Sequence, residues 1–69
     1  MLDRERLRMA RLQLRLSQED LGRAVGQDQQ YISKLERGVV TEITVTTLVR
    51  LADALNVSTD YLVGRKQAA

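Results

Sequence analysis

The polar chemistry of this chain concentrates in GQDQQYISKLERG, residues 26–38. Gln27, Asp28, Gln29 and Gln30 stand ahead of Ile32 and Leu35, whose spacing marks the buried side of a helix. Gln30, Ser33, Lys34 and Arg37 then fall on the outward side, with Gln29 at the flank of the first turn. A side-chain amide offers both a donor and an acceptor without net charge. The chemistry such a row supports is hydrogen-bonded recognition, not bond making. The chain has no His and no Cys, which removes the commonest general base, the commonest metal ligand and any thiolate site. It also lacks a Gly-rich phosphate cradle and a clustered carboxylate pair. No enzyme activity, cofactor or metal is expected.

The elements that must carry this stretch are marked by their ends. Asp3, Ser17, Asp28, Thr44 and Ser58 each precede a helical pattern, and each can accept a bond from an unpaired first-turn N–H. The residue before a cap often packs against the fourth helical residue. Leu2 with Leu7, Leu16 with Leu21, Ile43 with Leu48, and Val57 with Leu62 fit this staple; at the third start Gln27 stands where the apolar residue belongs. Gly26, Gly38, Asn56 and Gly64 sit where a left-handed residue ends a helix. The spacing predicts helices at about 4–14, 18–25, 29–37, 45–55 and 59–63, an all-α fold with short connections. Its core is expected from Leu7, Ala10, Leu14, Leu16, Leu21, Ala24, Val25, Ile32, Leu35, Leu48, Leu51, Ala52, Leu55, Val57, Tyr61 and Leu62. Gly22 interrupts the second helix at a cost of roughly 0.5–1 kcal/mol against Ala. Either the third helix approaches closely there, or the glycine is a tolerated surface residue.

With 69 residues the chain is read as one domain, with residues 65–69 as a frayed tail. No apolar run approaches the ~18 residues of a membrane span, and a soluble, cytoplasmic protein is expected. Net charge is only +2, yet residues 1–15 hold Arg4, Arg6, Arg8, Arg11 and Arg15 against Asp3 and Glu5. Such a bias suits a polyanion, and equally a solvated helix face.

A short helix, a tight turn containing Gly and a second short helix form a helix-turn-helix. SQEDLGRAVGQDQQYISKLERG followed by TLVRLADALNVSTDYLVG resembles the phage-repressor/Cro type of this domain, the xenobiotic-response-element type, over nearly the whole chain. The matching elements are Arg11, Ser17-Gln18 with Leu21, Glu36 with Gly38, and Ala54-Leu55 with Val57. The resemblance implies a compact five-helix, lambda-repressor-like fold and a sequence-specific transcription regulator. Such a protein binds a pseudo-palindromic stretch of double-stranded DNA as a homodimer, with the third helix in the major groove. Gln pairs with adenine and Lys with guanine at base edges, so Gln29, Gln30, Ser33 and Lys34 are the candidate base contacts. Gln18, Arg23, Gln27, Tyr31 and Arg37 are the candidate phosphate contacts; the Tyr31 ring packing over the second helix is an equal alternative. In relatives the residue matching Gln18 also braces the first recognition-helix amide, here Gln29. Asp28 is read as the cap, with acceptance from cytosine N4 as the alternative. The resemblance further implies an Arg11–Glu36 ion pair that fixes geometry.

Two departures stand out. Arg15 occupies a position where members of this type usually have Gly; a left-handed backbone there costs about 1 kcal/mol, with a phosphate contact as one compensation. VVTEIT, residues 39–44, carries Glu42 and no basic residue, where members often have Lys or Arg and a Pro. Fewer phosphate contacts would make binding weaker and less salt-dependent. Val39, Val40 and Ile43 either join a dimer contact or pack under the fourth helix; the other candidate dimer surface is the fifth helix. A phage repressor, a restriction–modification controller protein and an antitoxin all fit this class. The alternative is an interaction module on the same fold without DNA binding, in which Glu19, Asp20 and Glu42 meet a protein; in a regulator they could meet RNA polymerase.

Overall fold

Each helix begins where a capping side chain turns back on the chain. The computed structural model describes residues 1–64, and five helices run through them: α1 Arg4–Gln13, α2 Gln18–Ala24, α3 Gln29–Glu36, α4 Val45–Leu55 and α5 Thr59–Leu62. Asp3 Oδ1 accepts from the N–H groups of Glu5 and Arg6, and Asp28 Oδ1 from that of Tyr31 at 2.8 Å. Thr44 and Ser58 accept from Thr47 and Tyr61. Ser17 forms a reciprocal box: its hydroxyl accepts from Asp20 N–H at 2.9 Å, while Asp20 Oδ2 accepts from Ser17 N–H at 3.0 Å. Each such cap stabilises its helix by about 1 kcal/mol.

Four of the five helices end one residue earlier than the spacing predicts, because Leu14, Val25, Arg37 and Val63 are C-cap residues outside the helical run. The chain then turns through left-handed residues at Arg15, Gly26, Gly38, Asn56 and Gly64. Arg15, with φ 56°, is a side-chain-bearing residue in a conformation that glycine takes freely. The anticipated tail lies outside the described residues.

The core is Leu2, Leu7, Ala10, Leu21, Val25, Ile32, Leu35, Leu51, Ala52, Leu55 and Leu62, with Leu16, Tyr31, Val40, Ile43, Leu48, Val57 and Tyr61 packed around it. Two expected members are exposed. Leu14 shares the azimuth of Leu7, but α1 has already ended and the residue points outward, 47% accessible. Ala24 is exposed because α2 turns a different edge inward. That edge is set by Gly22: a Cβ there would lie 2.9 Å from the carbonyl carbon and oxygen of Asp28. The backbone leading into α3 presses directly on α2 at this point. The buried arc of α2 therefore centres on Leu21, Gly22 and Val25, and Ala24 falls outside it.

α2 and α3 make the most extensive helix pair, and α1 supports α3 from behind. Asp3 N–H donates to Leu62 O at 2.7 Å, and the Arg6 guanidinium lies 4.9 Å from the centre of the Tyr61 ring, joining the start of α1 to α5. No helix of the described residues is long and apolar enough to cross a membrane.

Candidate functional site

α3 presents two unlike faces. Ile32 and Leu35 are 0% and 1% exposed and anchor it to the core. Gln29, Gln30 and Lys34 project on the opposite side, exposed, and their side chains bond to nothing within the described residues. Gln27 is exposed just ahead of the cap, and Asp28 is held by its bond to Tyr31 N–H. That bond places a carboxylate at the positive end of the helix, where it is stabilised. Ser33 is half-buried, and its hydroxyl accepts from Arg37 Nε at 3.1 Å. Tyr31 is half-buried, its ring against the core.

The far end of α3 is fixed by charge. Arg11 Nε and Nη2 donate to Glu36 Oε2 and Oε1 at 2.6 and 2.9 Å, and Arg11 Nη1 donates to Leu16 O at 2.7 Å. The two side chains are 9% and 5% exposed. The bidentate fork uses both carboxylate oxygens, the geometry that makes Arg the residue for buried pairing. Hydrogen bonding to Glu36 raises the Arg11 pKa further, against the opposing effect of burial, so this cation persists at any accessible pH. Gln18 Nε2 donates to Glu36 Oε1 at 3.3 Å. The start of α2 is thereby tied to the end of α3, and Gln18 makes no bond to Gln29. Arg23 pairs with Glu19 at 2.7 Å, but both are mostly solvated, so this pair is worth little to stability.

One support gave no sequence signal. Arg4 Nη1 donates to Arg37 O at 2.6 Å, 33 positions away in the chain, and caps the C-terminus of α3. A Cβ on Gly38 would come within 2.5 Å of that nitrogen, so the glycine keeps the space in which the guanidinium lies. The Ser17–Asp20 box, by contrast, could be read from the S-x-x-D spacing.

The arrangement is a short rigid helix braced at both ends, offering amide donors and acceptors and one free cation outward. It suits recognition of a flat polar surface. Among the described residues no group of three or more His, Cys, Asp or Glu is placed to hold a metal.

Comparison with known proteins places this geometry. A helix-turn-helix family model matches residues 7–62. The P22 c2 repressor, solved in complex with a synthetic operator, has a TM-score of 0.85 and 38% identity, covering 96% of this chain and 98% of that one. SinR, a master regulator for biofilm formation solved in complex with DNA, has a TM-score of 0.82 and 25% identity, covering 87% of this chain and 98% of that one. The hydroxypropylphosphonic acid epoxidase of S. wedmorenis has a TM-score of 0.81 and 28% identity over 87% of this chain, but only 31% of the enzyme is covered. No curated protein matches the chain.

Proposed function

The chain belongs to the helix-turn-helix family, with the fold of the phage-repressor/Cro type, and on that premise we propose that it is a sequence-specific, DNA-binding transcription regulator. One observation carries the reading: Gln29, Gln30 and Lys34 stand exposed and uncommitted on a helix whose other face is locked into the core. In this reading α3 lies in the major groove. The amides pair with adenine N6 and N7, Lys34 pairs with guanine O6 and N7, and Ser33 contacts an adjacent base. Asp28 remains the cap. Gln18, Gln27, Tyr31, Arg23 and Arg37 meet phosphates around the groove. Gln18 then exchanges or shares its bond to Glu36, and Arg37 its bond to Ser33, when the duplex docks.

A homodimer on a pseudo-palindromic site is part of the proposal, with half-sites about 34–36 Å apart. Its support is a set of exposed apolar side chains outside α3. Met1, Val45 and Val49 are 89%, 76% and 42% exposed, and Met1 lines a hollow of about 320 Å³ with Thr41, Glu42, Ile43, Leu48 and Val63. The hollow takes in Val63, the residue that ends α5, and the segment before α4. Val40 and Ile43 are partly buried against the core, which leaves Val39, 63% exposed, as the apolar tip of that loop. The epoxidase likeness carries no activity to this chain, since it spans a minor part of that enzyme. No apolar anchor projects from the outer face of α3, as an interaction module would require.

The deciding experiment is selection of bound sequences from random duplex DNA. A recurrent, two-fold related motif is the expected result. Recovery of unselected sequence, or no duplex at all, would remove the proposal.

A further inference from the structure

In the DNA-binding reading only Arg23 and Arg37 bring charge to the phosphate backbone, and each already holds a side chain of its own helix. Residues 39–44 contain no basic side chain, and Glu42 there is exposed. Most cations of the described residues are already engaged. Arg4 caps α3, Arg6 binds Asp3 and Tyr61, Arg11 binds Glu36, Arg23 binds Glu19, and Arg37 binds Ser33. Among the described residues Arg8, Arg15, Lys34 and Arg50 have no such partner. Lys34 belongs to the reading face, and the Arg50 guanidinium lies beside Gly26 at the α2–α3 turn.

Arg8 lies on α1 and Arg15 just beyond its end. Arg4, Arg8 and Arg11 recur at four and three residues, one stripe of α1. The two outer members of that stripe both reach the C-terminal end of α3, Arg4 at Arg37 O and Arg11 at Glu36. Arg8, one turn after Arg4 on the same stripe, is exposed. Arg15 follows two residues beyond α1, also exposed, and one residue before Leu16, whose carbonyl Arg11 holds. Its φ of 56° costs folding energy that a glycine would avoid. A side chain stands there at the expense of stability, between the end of this stripe and the start of α2.

Resting on the DNA-binding reading, we propose that Arg8 and Arg15 form a phosphate-binding edge on α1, which grips the duplex backbone beside α3 in place of basic residues in the 39–44 loop. The contacts are sequence-independent and add to the recognition made by α3.

The test measures affinity for a mixed-sequence duplex DNA as a function of salt, for the wild-type chain, Arg15→Gly, Arg15→Lys and the Arg8→Ala/Arg15→Gly double variant. Two lost phosphate contacts make the slope of log K against log salt shallower by about 1.8 in the double variant. Binding weakens on every sequence alike, and the motif selected from random DNA stays the same. Arg15→Lys keeps the wild-type slope. Arg15→Gly moves stability and affinity in opposite directions: Tm rises as the strain is relieved, and duplex affinity falls. An unchanged slope in the double variant, or an altered selected motif, overturns the edge while the DNA-binding reading stands. A wild-type chain that binds no duplex overturns both.

Discussion

Arg11 and Glu36 are the residues on which the placement of α3 turns. A buried pair of this kind adds little net stability over apolar residues of the same size, but removing one member strands a charge. Arg11→Met should therefore cost about 3–5 kcal/mol, a large fraction of the ~5–15 kcal/mol typical of a domain. The double variant Arg11→Met/Glu36→Leu should recover most of it. Denaturant unfolding checks both; equal losses in single and double variants would mean that the carboxylate tolerates isolation. On the opposite face of α3 the expected effects concern recognition. Gln30→Ala or Lys34→Ala should relax base preference at one or two positions by about 1–3 kcal/mol per lost bidentate contact. If both variants select the wild-type motif from random DNA, other residues do the reading.

Among the elements, α2 is the most constrained for its length, seven residues held by a capping box and a glycine contact. Asp20 accepts from Ser17 N–H, which lowers its pKa below the ordinary 3.8. A carboxyl with a depressed folded-state pKa contributes stability that is complete above its unfolded value and is lost as pH falls through the folded one. The Tm advantage of the wild-type chain over Asp20→Asn should thus be constant at neutral pH and shrink only once pH drops below about 3.8. A difference that persists unchanged into that range would show that the ionised form does not favour the box. At Gly22 the constraint is steric. Gly22→Ala gains helix propensity, yet its methyl would meet the Asp28 carbonyl at 2.9 Å. Overpacking of about 1–3 kcal/mol should win over the ~1 kcal/mol propensity gain. Because the clash displaces the start of α3, duplex affinity should fall with stability, whereas a gain in Tm would show that the two helices can separate without loss.

On the scale of the whole molecule, the division of surfaces makes the proposal testable. The proposed reading face of α3, the proposed basic edge of α1 and the exposed apolar residues Met1, Val45 and Val49 belong to one small body, 34 × 23 × 20 Å. In the proposed reading one such body covers a single half-site, so a two-fold motif would require two copies. Sedimentation of the protein on its selected duplex should give two chains per site, and Val49→Asp should reduce this to one with weaker binding. One wild-type chain per site would remove the dimer from the proposal.

The cap residues, the apolar spacing and the break in the staple pattern at Gln27 were enough to place all five helices and to pick out α3. Those signals are local, set within a turn or two by the needs of unpaired N–H groups and of apolar side chains. The family resemblance also marked Arg15 as an oddity, since members of this type usually have Gly at that position. What it misjudged depends on orientation. Leu14 has the right azimuth on a helix that has already stopped, and Ala24 lies off the arc that the Gly22 contact turns inward. Tertiary structure alone decided that Arg4 caps α3 from 33 positions away, that Gln18 turns to Glu36, and that Arg8 and Arg15 are left unengaged beside them. These are pairings across the fold, chosen by which groups compete for the same carbonyls and carboxylates once the core has set the helices at their angles. Local spacing carries no record of that competition.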